Sequence, residues 1–143
     1  GGHSLVIPWK DRLKPYDVLQ GMLAPYRPVD RALDPGLLYG VRYEGGYSGL
    51  QDADRVEIVK RMIASTKAAG GLVIVYGCGA LSEEMRDAFD LRVWMDLVPK
   101  HAVLNFKYGK ATHLREPYSL SYSAPLRRSY FIEFDSAMCS RWE

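Results

Sequence analysis

Residues 70–82 read GGLVIVYGCGALS, and this stretch decides the fold. Its run Leu72–Tyr76 is apolar and rich in β-branched residues, with no polar alternation, which predicts a strand buried on both faces of a sheet. The turn Gly77–Gly79 follows, and a short helix is predicted over Ser82–Phe89, with Ser82 as its cap and acidic residues in its first turn. A buried strand that leads through a glycine turn into a helix indicates an α/β protein.

Strand and helix patterns alternate on both sides of this stretch. Further strands are predicted at Leu5–Ile7, Gly36–Tyr43, Leu91–Leu97 and Ser129–Phe134, and further helices at Pro15–Leu23, Asp52–Ala69 and Pro99–Tyr108. The longest helix has an aspartate at its start and Gly70 and Gly71 at its end, which are favourable caps. This alternation predicts one α/β domain over residues 1–143, with a mostly parallel sheet flanked by helices.

Composition and charge limit the classes of protein to which this chain can belong. A chain of 143 residues, 48% of them hydrophobic, is long enough for one domain with a substantial core. The net charge of +2 is too small to favour nucleic acid or an anionic membrane as a partner. No apolar run approaches the about 18 residues that a spanning helix needs, and no basic leader precedes the short apolar run near the N-terminus, so a cytoplasmic protein is expected.

Cysteine and histidine do not follow a metal-binding pattern. Cys78 and Cys139 lack CxxC spacing, and the three histidines are scattered, so neither zinc nor another cofactor is expected. Cys78 is interpreted as a small buried residue rather than a catalytic thiol, which would need a histidine brought near it by the fold.

The glycine turn is a candidate anion site. In parallel sheets, ligands bind beyond the carboxyl ends of the strands, where Gly77, Cys78 and Gly79 are predicted to lie. Glycine permits close approach of the backbone, and the amides around Ala80 and Ser82 at the start of the next helix favour negative charge. Two interpretations stay open: the turn holds a phosphate, or its glycines serve only to pack the strand exit.

Two common phosphate motifs fit this turn poorly. A Walker loop needs Gly-Lys-Ser/Thr, which the sequence lacks. A dinucleotide fingerprint needs Gly or Ala where Ser82 stands, although Asp96 lies near the position, about 20 residues downstream, that such sites use for the ribose. A small kinase-like or dinucleotide-dependent enzyme that uses Asp96 and nearby cations is therefore the alternative to a binding domain.

Charged side chains follow the same predicted strands. Lys100 lies just after the strand that carries Asp96, and Arg127 and Arg128 come just before the last predicted strand. Cationic side chains hold phosphate oxygens well, so these residues are candidate ligand-binding residues together with the turn. Alternatively they form a solvated surface, and Asp96 caps the turn into Pro99.

The succession of these elements resembles a known family. Gly71–Ala80, Leu91–Asp96 and Lys100–Lys110 match the strand and glycine turn, the aspartate-bearing strand and the basic, aromatic-rich helix of one domain. That domain precedes the cupin in bacterial class I mannose-6-phosphate isomerase-like proteins. The ending RRSYFIEFDSAMCSRW is similar to its closing strand, and the likeness is weaker over Pro25–Glu57.

The resemblance implies a P-loop-kinase-like or Rossmann-like three-layer sandwich without a Walker A loop. It also implies a role in carbohydrate metabolism, with the metal ligands of the isomerase in a cupin whose motifs this sequence lacks. The expected function is that of an accessory, noncatalytic domain that binds a sugar phosphate or a nucleotide at Gly77–Ser82. The chain is then either a fragment of a longer protein or a free-standing relative, and its expected partners are the phosphorylated ligand and a cupin domain.

Overall fold

A computed structural model describes residues 3–26, 42–111, 114, 132–134 and 136–138 of the chain. Two strands, β1 (Ser4–Pro8) and β2 (Leu72–Tyr76), form a parallel pair. The α-helices are α1 (Tyr16–Leu23), α2 (Gly46–Leu50), α3 (Ala53–Ala68) and α4 (Pro99–Lys107), and single 3-10 helices span Trp9–Arg12, Ala24–Tyr26 and Glu83–Ala88. The described part of the chain is therefore a mixed α/β structure around a small parallel sheet, as the alternation of patterns predicts.

The bounds of the helix α3 agree with its capping residues and with the spacing of its apolar residues. The Asp52 side chain accepts a hydrogen bond of 3.1 Å from the Arg55 amide, and Gly70 ends the helix with a φ of +71°. Val56, Val59 and Ile63 lie on one face and are buried. This face packs beneath the sheet, so α3 and its predicted caps are confirmed.

The strand β2 is covered on one face, which corrects the expectation of burial on both. Val73 and Val75 pack toward the α3 cluster, whereas Leu72, Ile74 and Tyr76 are 61%, 47% and 53% exposed. Its apolar side chains alternate between the two faces of the pleated strand, and the described helices pack against one of those faces. The continuous apolar run therefore predicts the strand correctly, but it does not show that the strand is covered on both faces of the sheet.

Three other expected elements differ from the structure. The segment 91–98 contains no helix, turn or bend and belongs to no ladder among the described residues, so the strand predicted at Leu91–Leu97 is absent there. The helix predicted at Ser82–Phe89 is a 3-10 helix, and Ser82 does not cap it with its side chain, because that hydroxyl bonds Gln51 instead. Of the strand predicted at Ser129–Phe134, the described residues 132–134 are helical or turn, and most of Gly36–Tyr43 lies outside the described residues.

The core consists of two apolar clusters. One surrounds Trp9 and includes the fully buried Leu13, Leu19 and Leu50. The other lies between the sheet and α3 and includes Ile7 and Met85. Of the helices in the described ranges, none combines the length and the apolar character that crossing a membrane requires.

The one-sided burial of β2 has a measurable consequence. Ile63→Ala removes a side chain that is 2% exposed, so we expect a loss of about 2 to 4 kcal/mol in the free energy of unfolding. Ile74→Ala makes the same chemical change on the open face, where we expect a loss below about 1 kcal/mol. Urea unfolding of both variants measures the difference, and equal losses would show that the outer face of β2 is covered.

Candidate functional site

The two parallel strands bring their carboxyl ends to one edge of the sheet. The register pairs Pro8 with Tyr76, so the Trp9–Arg12 turn and the Gly77–Ser82 turn begin side by side. Because ligands of parallel sheets bind beyond this edge, both turns belong to the candidate site. The sequence prediction included the second of these turns and omitted the first.

The glycines of the turn are required by the indole ring of Trp9. A Cβ atom at Gly77 or at Gly79 would overlap ring atoms of Trp9, and Gly77 also has a φ of +116°. Tyr47 packs edge-on against the other side of this tryptophan, with ring centroids 5.3 Å apart. This packing explains the Gly-x-Gly pattern without a ligand.

The turn residues divide into an exposed and a buried part. Gly77 and Cys78 are exposed, whereas Gly79, Ala80 and Ser82 are buried. The Ala80 amide donates to the Gly77 carbonyl over 3.0 Å, and the Ser82 amide donates to the Gly79 carbonyl over 3.2 Å. The amides of Ala80 and Ser82, which the sequence analysis treats as possible anion donors, thus form hydrogen bonds within the turn.

Arg12 lies beneath the turn and is fully buried. Its Nη2 donates a hydrogen bond of 2.6 Å to the carbonyl oxygen of Gly79, while its Nε and Nη1 are buried and have no hydrogen-bond partner in the described part of the chain. Burial lowers the pKa of the guanidinium to about 10, and the negative charge of Glu84 acts in the opposite direction. Arg12 is therefore still a cation at neutral pH, with unused donors next to the turn.

A polar cluster of Gln51, Ser82 and Glu84 borders this cation. Gln51 donates from Nε2 to the Ser82 hydroxyl over 3.0 Å and to Glu84 Oε2 over 3.3 Å. Burial acts to raise the pKa of Glu84, but hydrogen bonds outweigh it and lower the value; the donors are Ser48, Ser82, Gln51 and the Glu84 backbone. The carboxylate of Glu84 is thus held in its charged form near Arg12.

Cys78 differs from its expected role as a buried thiol. The residue is exposed, yet nearby protein atoms desolvate its sulfur and, together with the charge of Glu133, raise the thiol pKa to about 11. The thiol is therefore protonated at neutral pH. The neighbouring Tyr47 hydroxyl is buried without a hydrogen-bond partner, and burial followed by the charges of Glu133 and Cys78 raises its pKa.

Of the predicted charged residues, Asp96 and Lys100 lie in the described part of the chain. Asp96 and Lys100 are exposed, and Asp96 Oδ1 accepts a hydrogen bond of 2.9 Å from the adjacent Leu97 amide. Arg127 and Arg128 lie outside the described residues. Within the described ranges, no three His, Cys, Asp or Glu side chains are grouped closely enough to hold a metal ion.

Sequence reasoning missed the residues that surround the turn, namely Trp9, Arg12, Tyr47, Gln51 and Glu84. For Trp9 and Arg12, the sequence contains a usable signal. Two parallel strands end at the same edge, so the residues that follow Leu5–Ile7 were as well placed as those that follow Leu72–Tyr76. The contributions of Tyr47, Gln51 and Glu84 depend on tertiary packing and leave no such pattern.

Comparison with known proteins gives one match. The model of a family described as "Domain of unknown function (DUF8485)" matches residues 2–141. Searches of curated proteins and of solved structures give no match to the chain.

The contact between the turn and Trp9 predicts a strong glycine effect. Gly79→Ala places a methyl group against the indole, and we expect it to lower the free energy of unfolding by about 1 to 3 kcal/mol. Gly21→Ala in α1 is the matched control, because a Cβ there meets nothing within 4 Å. We expect this control to stabilise the protein by about 0.5 to 1 kcal/mol. Urea unfolding compares the two, and a neutral Gly79→Ala would contradict the packing explanation.

The lowered pKa of Glu84 predicts acid sensitivity. A carboxyl group whose pKa is lower in the folded state contributes stability that is present above its unfolded pKa and is lost as the pH falls through the folded value. Glu84→Gln should therefore reduce the stability at neutral pH and weaken its decline in acid. Melting temperatures across this pH range measure the effect, with Glu83→Gln as the neighbouring exposed control. An unchanged acid profile in Glu84→Gln would refute the assignment.

Proposed function

The chain belongs to this family of unknown function, and we propose from its site that it is an accessory, noncatalytic α/β domain that binds a phosphorylated small molecule at the Gly77–Ser82 turn. The ligand class is a sugar phosphate or a nucleotide. The observation that carries the proposal is the fully buried Arg12 cation beside the turn, two of whose nitrogen atoms have no acceptor among the described residues.

A buried cation with unfilled donors is costly. Among the described residues, no carboxylate lies within ion-pair distance of Arg12, although the charge of Glu84 acts on it from farther away, and the Gly79 carbonyl uses only one of its donors. A phosphoryl group supplies negative charge in direct contact and oxygen acceptors that match the guanidinium geometry. Anion binding would thus fill donors that the described part of the chain leaves unfilled.

The exposed part of the turn is the route by which the anion reaches Arg12. Gly77 and Cys78 are exposed, whereas the guanidinium is covered. The ligand therefore has to displace the outer part of the turn, and the bond from Arg12 to Gly79 is the contact most directly affected. Binding is expected to be coupled to a change in this loop.

The protonated thiol of Cys78 supports a noncatalytic role for the turn. A nucleophilic cysteine acts as the thiolate, and a thiol pKa of about 11 leaves very little thiolate at neutral pH. Cys78 therefore does not serve as a thiolate nucleophile at neutral pH, in keeping with the proposed binding role.

The wider setting follows from the resemblance of Gly71–Ala80 and the following elements to the domain that precedes a cupin. In this setting the complete fold is a P-loop-kinase-like three-layer sandwich, and the chain serves carbohydrate metabolism in the cytoplasm. Any isomerase chemistry then belongs to an associated cupin. The parallel order of β1 and β2 supports this fold, which requires parallel neighbours.

Replacement of Arg12 tests the proposal. Arg12→Met keeps an extended side chain while removing the charge and the hydrogen bond to Gly79, so circular dichroism first checks that the variant is folded at the temperature of the titration. Calorimetric titration with mannose 6-phosphate and with ATP should show binding to the parent chain for at least one ligand. We expect affinity to fall at least about tenfold in Arg12→Met, because a charge-assisted contact is removed.

Two comparisons make this test specific. Arg61→Met removes an exposed cation from α3 and should bind like the parent chain. Mannose and adenosine lack phosphate and should not bind. Failure of both phosphorylated ligands to bind the parent chain, or equal affinity of the parent and Arg12→Met, would reject the phosphate site.

A further inference from the structure

The segment 91–98, with sequence LRVWMDLV, is a largely apolar stretch on the surface that contains no helix, turn or bend. All eight residues are exposed, and the exposure reaches 80% at Leu91 and 89% at Met95. The described residues include no strand paired with it. An exposed apolar strand-like segment is a site at which another chain can add by backbone hydrogen bonding.

Local contacts flank the segment. Before it, Asp90 forms an exposed ion pair of 2.7 Å with Lys67 of α3. After it, the Val98 carbonyl accepts a hydrogen bond of 2.9 Å from the His101 amide at the start of α4. The segment therefore connects a residue that contacts α3 with the first turn of α4.

The order of side chains separates two faces. In an extended chain, Leu91, Val93, Met95 and Leu97 lie on one face, and Arg92, Trp94 and Asp96 lie on the other. The first face is entirely apolar. On the second face, Arg92 and Asp96 lie at equal distances from Trp94 and carry opposite charges. A two-fold rotation about Trp94 therefore brings each charge to the position of the opposite charge.

We propose that the segment 91–98 pairs antiparallel with the same segment of a second copy of this chain, about a two-fold axis at Trp94. This register places Arg92 opposite Asp96 of the second copy and Asp96 opposite Arg92 of the second copy. Leu91 then meets Leu97, and Val93 meets Met95. Such a self-complementary patch is what a two-fold dimer requires.

The charges select this arrangement over its alternatives. Parallel pairing in register would set Arg92 against Arg92 and Asp96 against Asp96, which is unfavourable. An antiparallel slip by two residues separates both opposite-charge pairs. The existing contact of Arg92, 4.0 Å from the exposed Asp87, is a weak surface ion pair that dimer formation can replace.

Charge reversal tests the dimer. Sedimentation velocity across a concentration series should show the parent chain approaching twice the 16.2 kDa of a single chain. Arg92→Glu turns both opposite-charge pairs into like-charge pairs, and we expect it to raise the dimer dissociation constant about tenfold. The double variant R92E/D96R restores opposite charges and should restore the dimer. Arg61→Glu is the matched exposed control and should dimerise like the parent chain.

A cysteine cross-link tests the register. In a background with Cys78→Ser and Cys139→Ser, Trp94→Cys places two thiols opposite each other at the axis, within reach of a disulfide. Leu91→Cys places its two copies about 20 Å apart in the same register, so it should link far more slowly. Oxidised samples compared on a non-reducing gel give the two rates.

Hydrogen exchange identifies where the pairing occurs. Amides of residues 91–97 should gain protection as protein concentration rises. A parent chain that stays monomeric at all concentrations, protection that does not depend on concentration, or equal linking of the two cysteine variants would each overturn the proposal. A dimer that Arg92→Glu leaves unchanged would overturn it as well.

Discussion

The hydrogen bond from Arg12 Nη2 to the Gly79 carbonyl joins the parts of the structure on which the site depends. Arg12 follows β1 and Gly79 follows β2, so the bond ties the two strand ends together beyond the sheet. The Arg12 carbonyl also accepts a hydrogen bond of 2.8 Å from the Asp52 amide, at the start of α3. One buried residue thus fixes both turns and the helix that supports the sheet.

The same local geometry explains which parts of the fold were predictable. The helices at Pro15–Leu23 and Asp52–Ala69 and the strands at Leu5–Ile7 and Leu72–Tyr76 depend on nearby residues, through apolar spacing and caps, and all four are confirmed. The position of the glycine turn after β2 follows from the same pattern. Its purpose does not, because the Trp9 ring that requires glycine comes from a distant part of the sequence.

Tertiary contacts decided the features that local patterns missed. Arg12 and Gly79 are 67 residues apart, so no local spacing pattern connects them. Ser82 has the residue type of a helix cap, but Gln51 offers its hydroxyl a partner and the cap is not made. In β2, alternate side chains differ in burial because α3 packs on one face, although every residue of the run is apolar.

Two unfavourable features of opposite kind remain in the described part of the fold. Two nitrogen atoms of a buried guanidinium have no acceptor among the described residues, and an apolar segment is exposed to water. Folded domains are stable by only about 5 to 15 kcal/mol, so unfavourable features of this kind matter on that scale. An anion would supply acceptors to the guanidinium, and a paired strand would cover the apolar surface and backbone groups of the segment. The two proposals therefore assign the turn and the segment 91–98 to different partners, a small charged ligand and a second copy of this chain.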